Sequence, residues 1–415
     1  MTTDGKVSST IRFLLDGELR TLDNIAPTRT VLQVLREDLG RRGSKEGCAE
    51  GDCGACTVVL AELCNGSVRY RAVNSCIQFA PVLDGKALIT IESLKGPGGS
   101  LHAIQQAIVD RHASQCGFCT PGFVMSLFAL YKNCSAPSRQ DINDALAGNL
   151  CRCTGYRAIV EAAHAVFSSV EVIPEAKMDW MSAPAGFHSE AARRSEIQLA
   201  GKLADIQRKD ELVIAHASGS FRAPRTLAAL SARRAQMPSA RILAGGTDVG
   251  VWVTKQYRDV GDLLYIGSVA ELSTVEITTS HIEIGAGVTL ADAYPVLARH
   301  YPDLDTLFRR FASPPIRNAG TLVGNIANGS PIGDSIPSLI AIGDPECGGR
   351  VARALREESV LSAQNARLAD FLDRRGDAAL VSVTATQGSV PREADLRPTG
   401  IHALTSKYPD SYAHP

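Results

Sequence analysis

The sequence predicts an α+β protein of several domains, and three observations lead to this prediction. The chain has 415 residues, which at about 150 residues per domain corresponds to two to four domains. Its pattern changes near residue 100 from short strands to helices, and near residue 221 to alternating strands and helices. Ten of the 11 cysteines precede residue 154, so metal or redox chemistry is expected in the N-terminal part.

Composition and charge exclude several classes of protein. The hydrophobic fraction of 45% and the charged fraction of 21% are typical of globular chains and exclude a wholly disordered one. A net charge of −1 gives no reason to expect nucleic acid or an acidic membrane surface as a partner. No apolar run is long enough to span a bilayer, and the start lacks the apolar core of a signal peptide. We therefore expect a cytoplasmic protein with no membrane contact.

The first region, residues 8–95, combines short strands with one helix. Asp16-Gly17 and Asn65-Gly66 are turn dipeptides that close two hairpins, and Thr30 is placed to cap a helix over 31–38. A few strands around a single helix predict a β-grasp domain. Strands are expected over 11–15, 18–22, 57–63, 67–73 and 87–91.

The second region, residues 100–168, is predicted to be helical. Apolar residues recur there at spacings of three and four, and four helices of such length predict a four-helix bundle. Residues 169–220 are interpreted as a linker with a helix near 190–210, and residues from 221 onward as an α/β domain with a helix over 290–300. The bundle helices are expected over 100–111, 121–131, 138–147 and 156–167.

The first group of cysteines has the spacing C-x4-C-x2-C with a fourth cysteine twenty residues later. This is the spacing of plant-type [2Fe–2S] ferredoxins, and the glycines within it allow the backbone to approach sulfur closely. A zinc knuckle or buried structural thiols are the alternatives, and the four-residue gap fits zinc poorly. The predicted iron ligands are Cys48, Cys53, Cys56 and Cys76.

The second group pairs C-x2-C with C-x-C, each just before a predicted helix. Two helix N-termini would then face one site, where their partial positive charge favours thiolates. Spacing alone leaves a four-thiolate zinc site open as an alternative to an iron–sulfur cluster. The predicted ligands are Cys116, Cys119, Cys151 and Cys153.

Taken together, the two groups resemble the molybdenum hydroxylase family, and within it the iron–sulfur and flavin subunit of the xanthine dehydrogenases. The resemblance implies that both cysteine groups bind [2Fe–2S] clusters. It is carried by Lys45-Glu46-Gly47-Cys48, Gly51-Asp52-Cys53-Gly54-Ala55-Cys56-Thr57, Gln115-Cys116-Gly117-Phe118-Cys119-Thr120-Pro121-Gly122 and Gly148-Asn149-Leu150-Cys151-Arg152-Cys153-Thr154-Gly155-Tyr156.

Residues 221–342 are similar to the N-terminal half of the same family's FAD-binding domain. A Gly-Gly turn at 245–246 can bring N–H groups onto a pyrophosphate, although by itself it could be a plain turn. By resemblance, the pyrophosphate would contact Ile242, Leu243, Ala244, Gly245, Gly246, Thr247, Asp248 and Val249. The rest of the cofactor would contact Phe311, Thr321, Asn325, Ser330 and Asp334.

The resemblance ends near residue 342, and we expect a truncated α/β FAD-binding domain there. Residues 343–415 form an atypical tail, which around 378–394 resembles the opening of the accessory protein that delivers molybdenum cofactor to xanthine dehydrogenase. Two signatures that meet within about 40 residues suggest a gene fusion or deletion near Gly343-Asp344-Pro345, which sequencing across the junction would test.

The resemblance implies an oxidoreductase subunit that transfers electrons. A molybdopterin-binding large subunit would oxidise xanthine or hypoxanthine, and electrons would pass through the two clusters and FAD to NAD⁺ within a hetero-oligomer. No catalytic residue of a molybdenum site is found in the sequence. The alternatives are the same relay in an aldehyde, carbon monoxide or nicotinate-type hydroxylase, and an iron–sulfur module without flavin.

Overall fold

A computed structural model describes residues 9–168, 179–186, 189–278, 281–329, 333–341 and 380–383. Its first domain is built on a five-stranded sheet in the order β2-β1-β5-β3-β4. Strand β1 pairs antiparallel with β2 and parallel with β5, and β3 pairs antiparallel with both β4 and β5. The strands are β1 (Ile11–Leu15), β2 (Glu18–Leu22), β3 (Thr57–Cys64), β4 (Ser67–Asn74) and β5 (Ala87–Ile89).

One helix packs against this sheet, as the sequence predicts. Helix α1 (Val31–Gln33) begins at Thr30, whose hydroxyl accepts a hydrogen bond from the N–H of Gln33, and it continues as a π-helical turn over Val34–Asp38. Its apolar face is buried with the sheet residues Phe13 and Val58 in one core. The result is a β-grasp arrangement. The long loop between α1 and β3 contains the first three cysteines of the first group, and Cys76 follows β4.

The second domain is a bundle of four helices. Pro121 lies in the first turn of α3, where its missing N–H leaves no hydrogen bond unmade. The bundle shares a core with the β-grasp sheet, since Val59 and Tyr70 are buried in the same cluster as Phe123 and Phe128. The helices are α2 (Ala103–Asp110), α3 (Thr120–Asn133), α4 (Arg139–Leu146) and α5 (Arg157–Ser168).

Residues 179–186 form a strap across the bundle, and helix α6 (Glu190–Ile206) follows. The Lys132 ammonium donates hydrogen bonds to the carbonyl oxygens of Trp180 (2.6 Å) and Ala183 (2.8 Å). The Tyr131 hydroxyl donates to the carbonyl of Ser182 (2.8 Å). Part of the predicted linker is therefore packed structure, whereas residues 169–178 and 187–188 lie outside the described residues.

The third domain contains a four-stranded sheet in the order β6-β7-β9-β8. Strands β6 (Leu212–His216) and β7 (Gly219–Ala223) form an antiparallel hairpin, so the predicted boundary at residue 221 falls inside this hairpin. Strands β8 (Arg241–Leu243) and β9 (Leu263–Tyr265) extend the sheet with parallel pairing, and α7 (Leu227–Gln236) packs beside it.

A second, three-stranded sheet has the order β10-β11-β12. Strand β11 (Ile282–Gly285) pairs with β10 (Val275–Ile277) on one side and, on the other, with β12 (Leu380–Val383), a four-residue strand of the predicted atypical tail. The remaining tail residues, including those of 378–394 outside this strand, lie outside the described residues.

The structure contains helices in this domain that the sequence analysis did not predict. Helix α8 (Thr247–Thr254) begins directly at Gly246, so the Gly-Gly turn is a strand-to-helix connection. The glycine- and asparagine-rich stretch after residue 320 contains α12 (Leu322–Asn328). The other helices are α9 (Leu290–His300), which the sequence predicted, α10 (Asp305–Arg310), α11 (Pro314–Arg317) and α13 (Ser335–Ala341). In the part of the chain that the structure describes, no helix has the length and hydrophobicity needed to cross a bilayer.

Candidate functional site: two cysteine loops and an adjoining cavity

The first four predicted ligands converge between α1 and the β-grasp sheet. The Sγ atoms of Cys56 and Cys76 are 3.3 Å apart, and both residues are buried. The thiols of Cys48 and Cys53 also interact with each other. A side chain at Gly47 would crowd the sulfur, because a Cβ there would lie 2.9 Å from the Sγ of Cys53. The four thiols thus form one connected group, since Cys48 also contacts Cys76.

Backbone N–H groups are directed at the sulfur of Cys48. The N–H groups of Cys53 and Glu50 donate to it over 3.3 and 3.5 Å. Contacts with the thiols of Cys53 and Cys76, together with these N–H groups, lower the pKa of Cys48 although burial opposes the shift. Such donors stabilise negative charge on sulfur, which is what a thiolate-ligated cluster requires.

The second four predicted ligands lie at the N-terminal ends of two bundle helices. Cys119 is the residue that caps α3, and Cys153 precedes the start of α5. Their thiols interact as pairs, Cys116 with Cys153 and Cys119 with Cys151. Burial is the main cause that raises the pKa of Cys119 to about 12, whereas Cys116 and Cys153 are exposed at the surface.

The thiol contacts in both groups are compatible with a cluster. A [2Fe–2S] cluster needs two ligands on each of two irons. In the second group, Cys116 contacts Cys153 and Cys119 contacts Cys151. In the first group, Cys48 contacts both Cys53 and Cys76, and Cys76 also contacts Cys56. Within the described ranges, no three His, Cys, Asp or Glu side chains are grouped as the ligands of one metal ion would be.

Two loops that carry predicted ligands are in direct contact with each other. We call residues 39–56, which precede β3, the β-grasp loop, and residues 147–156, between α4 and α5, the bundle loop. The N–H of Leu150 donates a 3.0 Å hydrogen bond to the carbonyl of Cys53, which joins a residue next to Cys151 to a predicted ligand of the first group. The buried Asn149 donates to the carbonyl of Gly54 (3.2 Å) and accepts from the Ser126 hydroxyl (2.6 Å). These bonds fix the distance between the two loops.

The flavin residues predicted from the sequence surround one cavity of about 1120 Å³ in the third domain. This exceeds the usual range for small ligands, about 300–1,000 Å³, and suits a dinucleotide. Leu243 does not line the cavity, since its side chain is buried in the core. Ser330 lies outside the described residues. The predicted residues that line the cavity are Ile242, Ala244, Gly245, Gly246, Thr247, Asp248, Val249, Phe311, Thr321, Asn325 and Asp334.

The lining of the cavity fits a polar, negatively charged cofactor. Gly246, with φ of +74°, precedes α8 and has no side chain to cap the first-turn N–H groups, which leaves them for a pyrophosphate. Burial raises the pKa of Asp248, and a hydrogen bond with Asn328 partly offsets the shift. Among the described residues, the lining side chains Asn325, Ser313 and Arg241 each have a buried polar atom without a hydrogen-bond partner. A bound cofactor would satisfy such atoms.

The cavity also reaches the first cysteine loop. Residues 50–52, between Cys48 and Cys53, form part of its wall. Helix α8 packs on the same loop, since the Thr254 hydroxyl donates to the carbonyl of Ala49 (2.6 Å) and Lys255 donates to that of Cys48 (3.0 Å). The buried pair Cys56 and Cys76 shares a small core with residues of the third domain. The cavity and the first cysteine group are therefore adjacent.

Sequence reasoning missed several residues of the cavity wall. Trp252 on α8, with the Arg241 guanidinium 5.0 Å from its ring, and Ile316 on α11 line the cavity without belonging to any motif. Ala147 and Leu150 of the bundle also contribute. Only the three-dimensional packing of distant segments could reveal these residues, so no signal in the sequence pointed to them.

Three family models match the chain one after another. A 2Fe-2S iron-sulfur cluster binding domain matches residues 13–77, and a [2Fe-2S] binding domain matches residues 90–164. An FAD binding domain in molybdopterin dehydrogenase matches residues 217–345. Two curated relatives are the xanthine dehydrogenases of Drosophila subobscura and Emericella nidulans, each 33% identical to this chain, over 83% and 84% of it respectively. The chain carries the iron–sulfur and FAD-binding domains of the xanthine dehydrogenase family.

This assignment establishes two [2Fe–2S] clusters and FAD as the cofactors of the matched domains, which form the electron-transfer module of a molybdenum hydroxylase. It also indicates an oxidoreductase. All eight predicted cysteine ligands lie within the two iron–sulfur matches, and all predicted flavin residues lie within the third. The chain spans 28% of the length of the two xanthine dehydrogenases. Among solved structures, aldehyde oxidoreductase from Desulfovibrio gigas is 34% identical over 39% of this chain and 17% of that chain, with a TM-score of 0.35.

Proposed function

We propose that the chain is the electron-transfer part of a molybdenum-containing xanthine dehydrogenase. A molybdopterin-binding large subunit would oxidise xanthine or hypoxanthine, and electrons would leave through the bundle site, the β-grasp site and the flavin cavity to NAD⁺. When bound, the clusters would carry single electrons and FAD would pass a hydride to NAD⁺. The observation that carries the proposal is that the three sites lie in direct contact with one another.

The proposed iron ligands are eight cysteines, four in each group. Cys48, Cys53, Cys56 and Cys76 would hold the β-grasp cluster. Cys116, Cys119, Cys151 and Cys153 would hold the bundle cluster. The hydrogen bond from Leu150 to Cys53 supplies a short bonded connection between the two sets. Residues 50–52 supply the corresponding contact with the flavin cavity.

The exposed side of the second cysteine group supports a molybdopterin-binding partner. Cys116 and Cys153 are exposed, and near them in the chain Phe118 and Tyr156 have exposed fractions of 45% and 39%. Large apolar side chains grouped around an exposed site are typical of a protein interface. A partner docked there would cover these side chains and approach the bundle cluster, as a hetero-oligomeric dehydrogenase requires.

The first test is the cofactor content of the anaerobically purified chain. Iron and acid-labile sulfide in the amounts that two clusters require, with one FAD, would support the relay. Cys56→Ser should remove one cluster, whereas Cys64→Ser is a matched control on the same sheet at a cysteine outside both groups. Full iron without FAD would instead support an iron–sulfur module without flavin, and zinc in place of iron would refute the relay.

The second test concerns the substrate and the acceptor. The chain is co-purified with its molybdopterin-binding partner, and reduction of the clusters is followed spectroscopically after addition of xanthine, an aldehyde or nicotinate. We expect reduction by xanthine and formation of NADH. Reduction by an aldehyde or nicotinate alone would favour the same relay in another hydroxylase.

A further inference from the structure

A short segment of the third domain touches all three proposed cofactor sites. Phe311, Ala312 and Ser313 line the flavin cavity, and helix α11 follows directly. A Cβ added at Gly148 in the bundle loop would lie 2.7 Å from the Cβ of Ser313. One added at Gly51 in the β-grasp loop would lie 2.9 Å from the Cδ1 of Ile316. We call residues 311–313 the junction loop.

The junction loop has a strained backbone at its centre. Ala312 has φ of +55°, in the left-handed region that side chains other than glycine rarely adopt. Such a conformation persists only where neighbouring contacts over-determine it, and it is typical of ligand sites. Phe311 on one side is anchored by an edge-on contact with Tyr294, their ring centroids being 6.2 Å apart. The conformation of Ala312 needs a further contact to hold it.

Arg317 supplies this contact. Its Nη1 lies 2.9 Å from the carbonyl oxygens of Arg309 and Phe311 and 2.8 Å from that of Ala312. One guanidinium nitrogen thus donates to three backbone carbonyl oxygens in the segment before α11. The side chain faces the loop and not the cavity wall, since the cavity is lined by Arg310 and the junction loop but not by Arg317.

We propose that Arg317 is a positioning residue for the flavin, which acts by holding the junction loop in its left-handed conformation. We call the hydrogen bonds from Arg317 to the three carbonyl oxygens the clamp. The clamp would keep Phe311 and Ser313 where they contact the cofactor, and would keep the junction loop in place against the bundle. This inference rests on the proposed flavin site and goes beyond it, because it assigns a role to a residue outside the cavity wall.

The test uses the variants Arg317→Gln, Arg317→Lys, Ala312→Gly and the double variant R317Q/A312G of the full chain. Glycine adopts the left-handed conformation without strain, so it should make the clamp dispensable. The readout is the dissociation constant of FAD, measured by fluorescence titration of flavin-free protein, with iron content measured on the same samples. Arg299→Gln, an exposed arginine on α9, is the matched control for loss of charge.

We expect R317Q to weaken FAD binding by about tenfold through the lost hydrogen bonds, with iron content unchanged. R317K should weaken it less, and A312G should restore most of the affinity in the R317Q background. Unchanged affinity in R317Q, or a loss that A312G does not rescue, would overturn the inference. If R317Q does not fold, the same comparison between R317K and R317K/A312G decides. Absence of FAD from the unaltered chain would instead refute the proposed flavin site.

Discussion

His102 shows how one buried side chain can couple two parts of this protein. Its Nδ1 accepts from the N–H of Ile104 at the start of α2, and its Nε2 contacts the carbonyl of Met181 in the strap at 3.2 Å. Both contacts are made only by the neutral ring with the proton on Nε2. Burial lowers the pKa of His102 to about 4. The folded structure therefore needs the neutral ring, and protonation of His102 opposes folding.

The stability of the chain should consequently depend on pH through His102. The unfolded chain takes up a proton below a pKa of about 6.5, whereas the folded chain does so only near 4, so the free energy of unfolding falls as pH decreases between these values. We expect a loss of about 1 kcal/mol between about pH 7 and about pH 5.5. His102→Asn keeps a capping side chain but removes this titration, so chemical denaturation should show a shallower pH dependence. Parallel profiles for the two proteins would contradict the assignment.

Asn149 is the second residue whose contacts carry a definite expectation. Its amide joins the carbonyl of Gly54 and the hydroxyl of Ser126, and all of these groups are buried. Asn149→Ala leaves a buried acceptor and a buried hydroxyl without this partner, which should lower the free energy of unfolding by about 1–3 kcal/mol. Asn143→Ala, the same exchange at an exposed position of α4, should change it by less than about 0.5 kcal/mol. Thermal unfolding of the two variants distinguishes them; equal midpoints would show that the Asn149 bonds contribute nothing.

At the scale of elements, strand β4 and helix α9 are joined by ion pairs across two domains. Arg71 on β4 binds Asp292 in the first turn of α9 at 2.6 Å and Glu62 on β3 at 2.9 Å. Arg69 also reaches Asp292, at 3.0 Å. The Arg71 side chain is 11% exposed and Asp292 is 37% exposed, so solvent weakens the pair only in part. These bonds hold the flavin domain against the β-grasp sheet.

A double-mutant cycle on Arg71→Met and Asp292→Asn should give a coupling free energy of about 1 kcal/mol in urea denaturation. The coupling should fall as salt increases, because one partner is open to solvent. Replacing Arg157, whose pair with Glu161 lies on the exposed face of α5, gives a control cycle with smaller coupling. Additive effects at β4 and α9 would mean that the domains are held by apolar packing alone.

The elements that the sequence predicted are those with local signals. Helix α9 was predicted from Leu290 to His300 by its apolar spacing, and α1 by its cap at Thr30. Helix α8 was missed because five of its eight residues are valine or threonine, which favour a strand, and a further glycine lies among them. In the structure this segment is a helix, and its Gly250 packs against the backbone of Ile77 in the β-grasp domain. Tertiary packing decided this element, and no local pattern records it.

The candidate site likewise has residues that local sequence signals predict and residues that only tertiary packing brings together. The cysteine groups could be predicted because their spacing in the chain reflects the geometry of a cluster, and the thiols of each group do converge. Gly245 and Gly246, predicted to contact a pyrophosphate, line the cavity, whereas the neighbouring Leu243 was assigned to the cofactor and is a core residue. The contact between Ile316 and Gly51 joins residues far apart in the chain, and spacing cannot predict such pairs.

In the whole molecule, the two cysteine groups are held together by backbone contacts that leave no room for a side chain. A Cβ at Gly122 on α3 would overlap the carbonyl oxygen of Gly54, and a Cβ at Gly54 would overlap that of Gly148. The β-grasp loop and the bundle loop thus approach at glycines on both sides. Close approach shortens the path between clusters, and electron transfer depends on this separation.

Gly122→Ala tests this arrangement because Gly122 does not need the left-handed conformation, so its effect is one of space alone. We expect the added methyl group to push the two loops apart, with a cost of about 1–3 kcal/mol from overpacking. Gly201→Ala on α6, where the structure shows open space, should instead stabilise the chain by about 0.5–1 kcal/mol. Thermal unfolding shows whether each variant is stabilised or destabilised. Electron paramagnetic resonance of the reduced clusters measures the magnetic coupling between them. This magnetic coupling weakens with distance. If Gly122→Ala is destabilised but its magnetic coupling is unchanged, the bundle accommodates the methyl group elsewhere. Gly122 would then not set the separation of the clusters.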